Sequence, residues 1–292
     1  ADYTANSGTL TFSESQTSAT ISVSVSEDAL TEDSETFVIT LSNVSVDIGN
    51  AAITGATHTV TITDDDTTNI SFALANSNAT TTHNVTVNRT DTNGTASVQY
   101  AVGGGSSTAS SGSDYNATLS GQLDFADGVS TATIPIEILS DSINESNETV
   151  EIQLSSPVSQ YGTSAITGTN PHVVTITDDD VTNISFSSGS QTVAEDAVNA
   201  TVTVTRSNTN GTAQVNYATS DGSASEGSDY NDTNGILNFA DGVANATITI
   251  PITDDIVNED SETLNVTLSS PIAQYGAVAI TGTNPHVVTI TD

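Results

Sequence analysis

One acidic pattern is written three times along this chain, and a repeat of that length fixes the kind of fold open to it. The segment TITDDD at 61–66 returns at 175–180, and TITD closes the chain at 289–292, each 114 residues after the last. The pair Asp-Tyr recurs at Asp2-Tyr3, Asp114-Tyr115 and Asp229-Tyr230. Between these marks sits an acid triplet of constant spacing: Asp28, Glu32 and Glu35, then Asp141, Glu145 and Glu148, then Asp255, Glu259 and Glu262. Repeats this long are whole domains in a row, because solenoid units run to only about 20–50 residues. Carboxylates held at fixed places in each copy point to a cation site in every domain.

The local rhythm is that of strands. Val202 and Val204 alternate with threonine in TVTVT (201–205), and the same period of two runs through 20–25, 131–138, 247–252, 262–268 and 287–291. Thr, Val and Ile suit a half-buried pleated surface. Turn pairs separate the runs: Asn93-Gly94, Asp127-Gly128, Asn210-Gly211 and Asp241-Gly242. No stretch carries helical periodicity. Short strands at this spacing predict an all-β chain of tandem antiparallel β-sandwiches, Ig-like in architecture, in a linear array.

The acidic runs place the domain boundaries at 1–66, 67–180 and 181–292. The first domain lacks the strands that precede Asp-Tyr in the other two, so it is expected to be half a sandwich, unstable alone. Either the chain is an excerpt of a longer array, or a neighbouring chain donates the missing strands; the third domain stops at its last strand with nothing left to donate, which favours the excerpt.

Composition narrows the partners. Thirty-six acidic residues face two basic ones, Arg89 and Arg206, for a formal charge of −34. Such a chain repels nucleic acid and anionic membrane and attracts cations. Cysteine is absent, which excludes disulfides and thiolate metal sites, and without lysine no Lys–Asn isopeptide staple can form. No segment reaches the roughly 18 apolar residues of a membrane-spanning helix. Carboxylates brought together by loops at one end of a sandwich suit Ca²⁺, which accepts about six to eight oxygen ligands in loose geometry. Zn²⁺ would want His or Cys, and Mg²⁺ would keep more of its water.

These motifs resemble the Calx-beta family, Ca²⁺-binding sandwiches of sodium–calcium exchangers, integrin β4 and many microbial surface proteins. The third domain carries most of the pattern: VAED (193–196), EGSDY (226–230), ILNFADG (236–242), ITDDIVNEDSETL (252–264) and VVTITD (287–292). By position, the resemblance implies ligands Glu195, Asp229, Asp254, Asp255, Glu259, Glu262 and Asp292 in domain three. In domain two it implies Asp114, Asp141, Glu145, Glu148, Asp178, Asp179 and Asp180. In domain one it implies Asp2, Glu27, Asp28, Glu32, Glu35, Asp64, Asp65 and Asp66. Domain two departs from the pattern, with Asn78 in place of Glu195 and Ser140 in place of Asp254, so weaker binding or fewer ions are expected there. Domain one lacks its early strands and any ligand they carry, and in domain three the closing triplet is cut to Asp292. The triplets also form the links between domains, so Ca²⁺ is expected to stiffen the junctions and turn a flexible string into a rod.

Of 25 asparagines, 15 begin an Asn-x-Ser/Thr sequon, where about 8 would arise by chance. Asn69, Asn84, Asn88, Asn93, Asn116, Asn183, Asn210, Asn231 and Asn245 are among them. N-glycosylation would place the protein outside the cell and shield an exposed β surface. His58, His172 and His286 share one repeat position and read as structural or surface residues. Tyr115 and Tyr230 read as core anchors, and Tyr161 and Tyr275, in QYG turns, as junction packing residues. No nucleophile–base pair or phosphate loop is visible, so no catalysis is expected. The leading expectation is an extracellular structural repeat protein: a filament, stalk or surface layer whose partners are Ca²⁺ and neighbouring copies of itself. An adhesin gripping a receptor or glycan through its loops is the alternative, set back by a 4% aromatic content and the absence of a specialised copy. Regulatory Ca²⁺ sensing, as in exchangers, would need a membrane-protein setting.

Overall fold

Alternating burial along nearly every strand shows why these residues pleat. In β15 (Asn199–Arg206) Ala200, Val202, Val204 and Arg206 point inward, while Asn199 and Thr201 face solvent. The computed structural model describes residues 2–292, and among them there is no helix. The first repeat contributes β1 (Glu35–Thr40) and β2 (Thr57–Ile62). The second contributes β3 (Thr67–Phe72), β4 (Asn76–Ala79), β5 (His83–Arg89), β6 (Ala96–Val102), β7 (Tyr115–Asn116), β8 (Ser120–Phe125), β9 (Thr131–Ile138), β10 (Glu148–Ser159), β11 (Thr163–Ile166) and β12 (His172–Ile176). The third contributes β13 (Val181–Phe186), β14 (Ser190–Ala194), β15, β16 (Ala213–Asp221), β17 (Asn234–Phe239), β18 (Asn245–Pro251), β19 (Glu262–Ala273), β20 (Ala277–Ile280) and β21 (His286–Thr291).

Repeat two forms sheets of order β4-β12-β10-β6-β8 and β11-β3-β5-β9-β7, and repeat three forms β14-β21-β19-β16-β17 and β18-β15-β13-β20. Most neighbours are antiparallel; β3 with β11, β13 with β20 and β14 with β21 are parallel. In repeat three the inward residues of both sheets make one core: Ile184, Val202, Val204, Ile248 and Ile250 from one, Val215, Phe239, Leu264, Val266 and Val288 from the other. That is the face-to-face burial of a β-sandwich. The chain divides into two compact units that do not follow the repeat boundaries. One comprises the residues up to Ser77 with Thr82–Glu137 and Val150–Val174; the other comprises Asn78–Thr81, Ile138–Thr149 and Thr175–Asp292. The acidic loop of repeat two thus groups with repeat three.

Repeat one corrects one expectation. Residues 20–25 were predicted to form a strand, yet only an isolated bridge between Tyr3 and Val25 forms there. Among the described residues no strand covers this segment, and Ile21 and Val25 are left exposed. The hairpin of β1 and β2 keeps its register, Phe37 opposite Val60, with Phe37 buried under the Tyr3 ring at 4.3 Å.

The two arginines work on backbone rather than on acids. The buried Arg206 guanidinium donates to the carbonyls of Val243 (2.7 Å), Gly211 (2.9 Å), Thr209 (2.9 Å) and Ala240 (2.7 Å), over the Phe239 ring. Arg89 does the same with Val129, Gly94, Thr92 and Ala126, over Phe125. Each arginine therefore fastens an Asn-Gly turn to an Asp-Gly turn. The tyrosines of the QYG turns lie against the glycine of the same Asn-Gly turn, Tyr161 on Gly94 and Tyr275 on Gly211, where a side chain would collide with the ring. Tyr115 and Tyr230 are core anchors as expected, 2% and 1% exposed, and Tyr230 donates to Asp221 at 2.7 Å. His172 and His286 are buried beside Phe72 and Phe186 with Nδ1 at the carbonyls of Leu74 and Ser188, so their role is structural; His58 is exposed.

Candidate metal centre

The acidic loop is shaped before any ion is considered. In each repeat the first acid of the spaced triplet folds its carboxylate back on the chain: Asp28 accepts from Leu30 N (3.0 Å), Asp141 from Ile143 N (2.6 Å) and Asp255 from Val257 N (2.6 Å). This Asx turn is a local preference of aspartate, so the sequence needs no tertiary help to form it. The Asp-Tyr carboxylates close a second turn, Asp114 accepting from Ser110 N and Asp229 from Ser225 N, both at 2.6 Å. A third element clasps the loop to the end of the last strand. Asp178 Oδ1 accepts from Glu145 N at 3.2 Å, and Asp292 Oδ2 accepts from Glu259 N at 3.1 Å.

In repeat three these devices bring carboxylates together. Asp229, Glu259 and Glu262 each place an oxygen within 4.8 Å of the others. A pocket at this spot is lined by Glu195, Asp229, Glu259, Asp260, Glu262, Ile290 and Asp292. Buried Glu195 also accepts from Asp255 N at 3.2 Å, tying the early strand to the loop. Partial desolvation of the exposed Glu259, and then the charges of Asp229, Asp255, Glu195 and Asp292, raise it above the usual carboxylate range. Glu262 is raised by burial, by its hydrogen bond to Asp229 and by the same negative field. Asp254 is exposed and does not line the pocket. Asp260 does line it and went unmarked in the sequence, where it stands beside Glu259 outside the repeated spacing.

In repeat one the acids from three segments share a field. Glu35 is raised first by its hydrogen bond to Asp2, which is lowered by the same bond. Glu32 is raised by burial and then by Asp28, Asp2 and Asp64. Asp66 is raised by burial and then by Asp64, Asp65, Asp28 and Asp91. Glu27 and Asp65 are exposed. In repeat two, burial raises Asp178, the amide of Glu145 opposes that shift, and Asp180, Asp179 and Asp141 add to it. Asp179 is exposed, whereas the carbonyl of Asp180 accepts from Ala277 N at 3.4 Å at the start of β20.

Oxygen-only donor sets and carboxylates that raise one another's pKa fit a hard divalent cation, whose charge would remove the repulsion. A further observation agrees. The Oδ2 atoms of Asp64 and Asp178 are buried without a hydrogen-bond partner, against the glycines of the QYG turns, Gly162 and Gly276. The sequons fall in two groups. Asn84, Asn116, Asn231 and Asn245 are exposed, and Asn69, Asn88 and Asn183 are half-buried. Asn93 and Asn210 differ, because their Nδ2 atoms donate to the carbonyls of Thr31 (2.7 Å) and Asn144 (2.9 Å).

A family model described as the Calx-beta domain matches the chain three times, over residues 1–66, 69–180 and 177–292. Similar solved structures include the calcium binding domain CBD12 of CALX1.1, 20% identical over 76% of this chain and 99% of that one, with a TM-score of 0.39. CBD12 from CALX1.2 is 21% identical over the same shares, at 0.38. The apo-form Calx CBD1 domain is 31% identical over 38% of this chain and 96% of its own, at 0.36. No curated protein sequence matches the chain.

Proposed function

The chain belongs to the Calx-beta family along its whole length, and from that premise we propose that it is a Ca²⁺-stiffened structural array. One observation carries this reading. Asp178 holds the amide of Glu145 in the acidic loop of repeat two with one carboxylate oxygen and buries the other against Gly276 of repeat three. Asp64 likewise buries Oδ2 against Gly162, so the closing acid is at once a loop residue and a link to the next repeat. A cation held there would hold the link.

In repeat three Glu195, Asp229, Glu259, Glu262 and Asp292 would hold the ion, with Asp260 at the rim. In repeat two Glu145, Glu148 and Asp178 would serve, and in repeat one Asp2, Glu32, Glu35 and Asp64. The ion supplies charge neutralisation. The protein supplies a loop already bent by its Asx turn, which lowers the ordering cost of binding. The setting is the outside of a cell, as part of a filament, stalk or surface layer beside copies of itself, with glycans on exposed sequons such as Asn84 and Asn245. The strongly acidic surface, the similarity between copies (AITGTNPHVVTITD is identical at 165–178 and 279–292) and the excess of sequons support that setting. Calorimetric titration of metal-free protein with Ca²⁺ tests the reading: saturable binding that Asp229→Asn and Glu262→Gln together weaken at least tenfold is expected. Binding unaltered by the pair would place the ions elsewhere.

A further inference from the structure

Two links between consecutive repeats use the same positions. Three residues beyond the Asx aspartate lies a side chain that is completely buried in both: Thr31 and Asn144, each 0% exposed. Around Thr31, Asp91 Oδ2 accepts from its amide at 2.6 Å and from its hydroxyl, and Asn93 Nδ2 donates to its carbonyl at 2.7 Å. Around Asn144, Asn210 Nδ2 donates to its carbonyl at 2.9 Å and Asn208 Nδ2 to the Ser142 carbonyl at 3.1 Å. Asn144 itself donates to Thr182 Oγ1 (3.0 Å) and to the Ala277 carbonyl (2.9 Å). The glycine of the following QYG turn closes the contact each time. The arginines and tyrosines that fasten the Asn-Gly turns are thus positioning residues for these links.

Repeat three carries the same loop, with the same Asx turn at Asp255 and the same clasp from Asp292, but Asn258 at the position of buried Asn144 is exposed. We propose that this loop end is a docking surface for a further repeat of the same kind, entered by its Asn-Gly and Gln-Tyr-Gly turns. The residue two before the turn's asparagine sets the match. A threonine in the loop offers an amide and a hydroxyl to Asp91, an acceptor only. An asparagine in the loop goes with Asn208, whose Nδ2 reaches a loop carbonyl; an aspartate there would set a carboxylate against that carbonyl. Bearing Asn258, the exposed surface selects a repeat with Asn-Thr-Asn-Gly, as in 208–211, over one with Asp-Thr-Asn-Gly, as in 91–94. The match uses hydrogen bonds of the loop backbone and of the threonine hydroxyl, and is independent of the cation reading.

Hydrogen exchange on the full chain, run in Ca²⁺ and in EGTA, tests this. Residues 142–145 are expected to exchange at least tenfold slower than 256–259, and Asn210→Ala with Asn208→Ala to remove most of that difference. No change on substitution overturns the proposal, since the contact would not depend on those side chains. The chain extended beyond Asp292 by two aspartates and a copy of residues 181–292 gives the second arm. Slowing of 256–259 by tenfold or more supports the proposal, and about threefold less slowing when the appended turn carries Asp at the Asn208 position supports the match. Unprotected 256–259 beside protected strands in the appended repeat overturns it. Protection at 142–145 that EGTA leaves unaltered, with the extended chain still covering 256–259, counts against the cation reading and not against this one.

Discussion

The acidic loops of repeats two and three share their internal geometry and differ in what covers them. Both bend around an Asx turn at 2.6 Å, and both are clasped from the end of the last strand, Glu145 N to Asp178 at 3.2 Å and Glu259 N to Asp292 at 3.1 Å. Yet Asn144 is wholly buried while Asn258 stands in solvent. Loop shape is therefore a property of the repeat, and burial is a property of the neighbour. A cation site of the kind proposed would be pre-shaped in any copy and linked to the next copy only where the turns dock.

The comparison breaks most completely if the docking turn is loosened. Arg206→Ala leaves four carbonyls around the guanidinium without their donor, and is expected to cost about 3 kcal/mol or more in denaturant unfolding of the unit containing repeat three. It should also make the loop at 142–145 exchange like that at 256–259. A loss under about 1 kcal/mol would mean the turns hold themselves.

Next in size is Gly276→Ala. The residue has φ +54°, and a methyl there would overlap Asn144 Oδ1 and Asp178 Oδ2. Roughly 2 kcal/mol of destabilisation is expected, against about 1 for Gly282→Ala, which has φ +75° but meets only Ser185 Cβ at 3.7 Å. Equal effects would show that backbone strain alone is at work. Glycan occupancy sharpens the same contrast: in a glycosylating host, mass spectrometry should find Asn84 and Asn245 modified and Asn93 and Asn210 bare, because a sugar takes the place of one of the two Nδ2 hydrogens and crowds the amide out of the link. Full occupancy at Asn210 would refute the buried role of its amide.

The smallest effect concerns pH. Glu259 and Glu262 are held above 4.5 in the folded state, so without metal that state binds protons more tightly than the unfolded chain. Their contribution is present below about pH 4.5 and is lost as pH rises through the raised values. In EGTA, exchange of residues 255–262 should be slower at pH 5 than at pH 7 after correction for intrinsic rates. Excess Ca²⁺ should reverse the trend, since protons then compete with the ion. A metal-free loop insensitive to pH would deny the mutual repulsion of these acids.

Much of this was legible in the sequence because it is local. Period-two runs became β9, β15, β18, β19 and β21, and the Asn-Gly and Asp-Gly pairs became turns with positive φ at Gly94, Gly128, Gly211 and Gly242. The repeat spacing found Asp229, Glu259 and Glu262 before their oxygens were seen to converge. Burial by partners was not legible: residues 20–25 carry a strand pattern with no strand to pair with. Nothing in the local sequence marks Thr31 and Asn144 as buried, since their partners lie 37 and more residues away. A signal for them existed in the repeated Arg-x3-Asn-Gly spacing of Arg89 to Gly94 and Arg206 to Gly211, which ties each turn to the only cations in the chain.

Small-angle X-ray scattering of the whole chain, in excess Ca²⁺ and then in EGTA, tests the central claim most directly. A larger radius of gyration with Ca²⁺, a profile fitted by a single conformer, and loss of both on chelation are what the account predicts. Identical profiles in the two conditions would contradict it, leaving the carboxylates as a solvating surface and the junctions held by their hydrogen bonds alone.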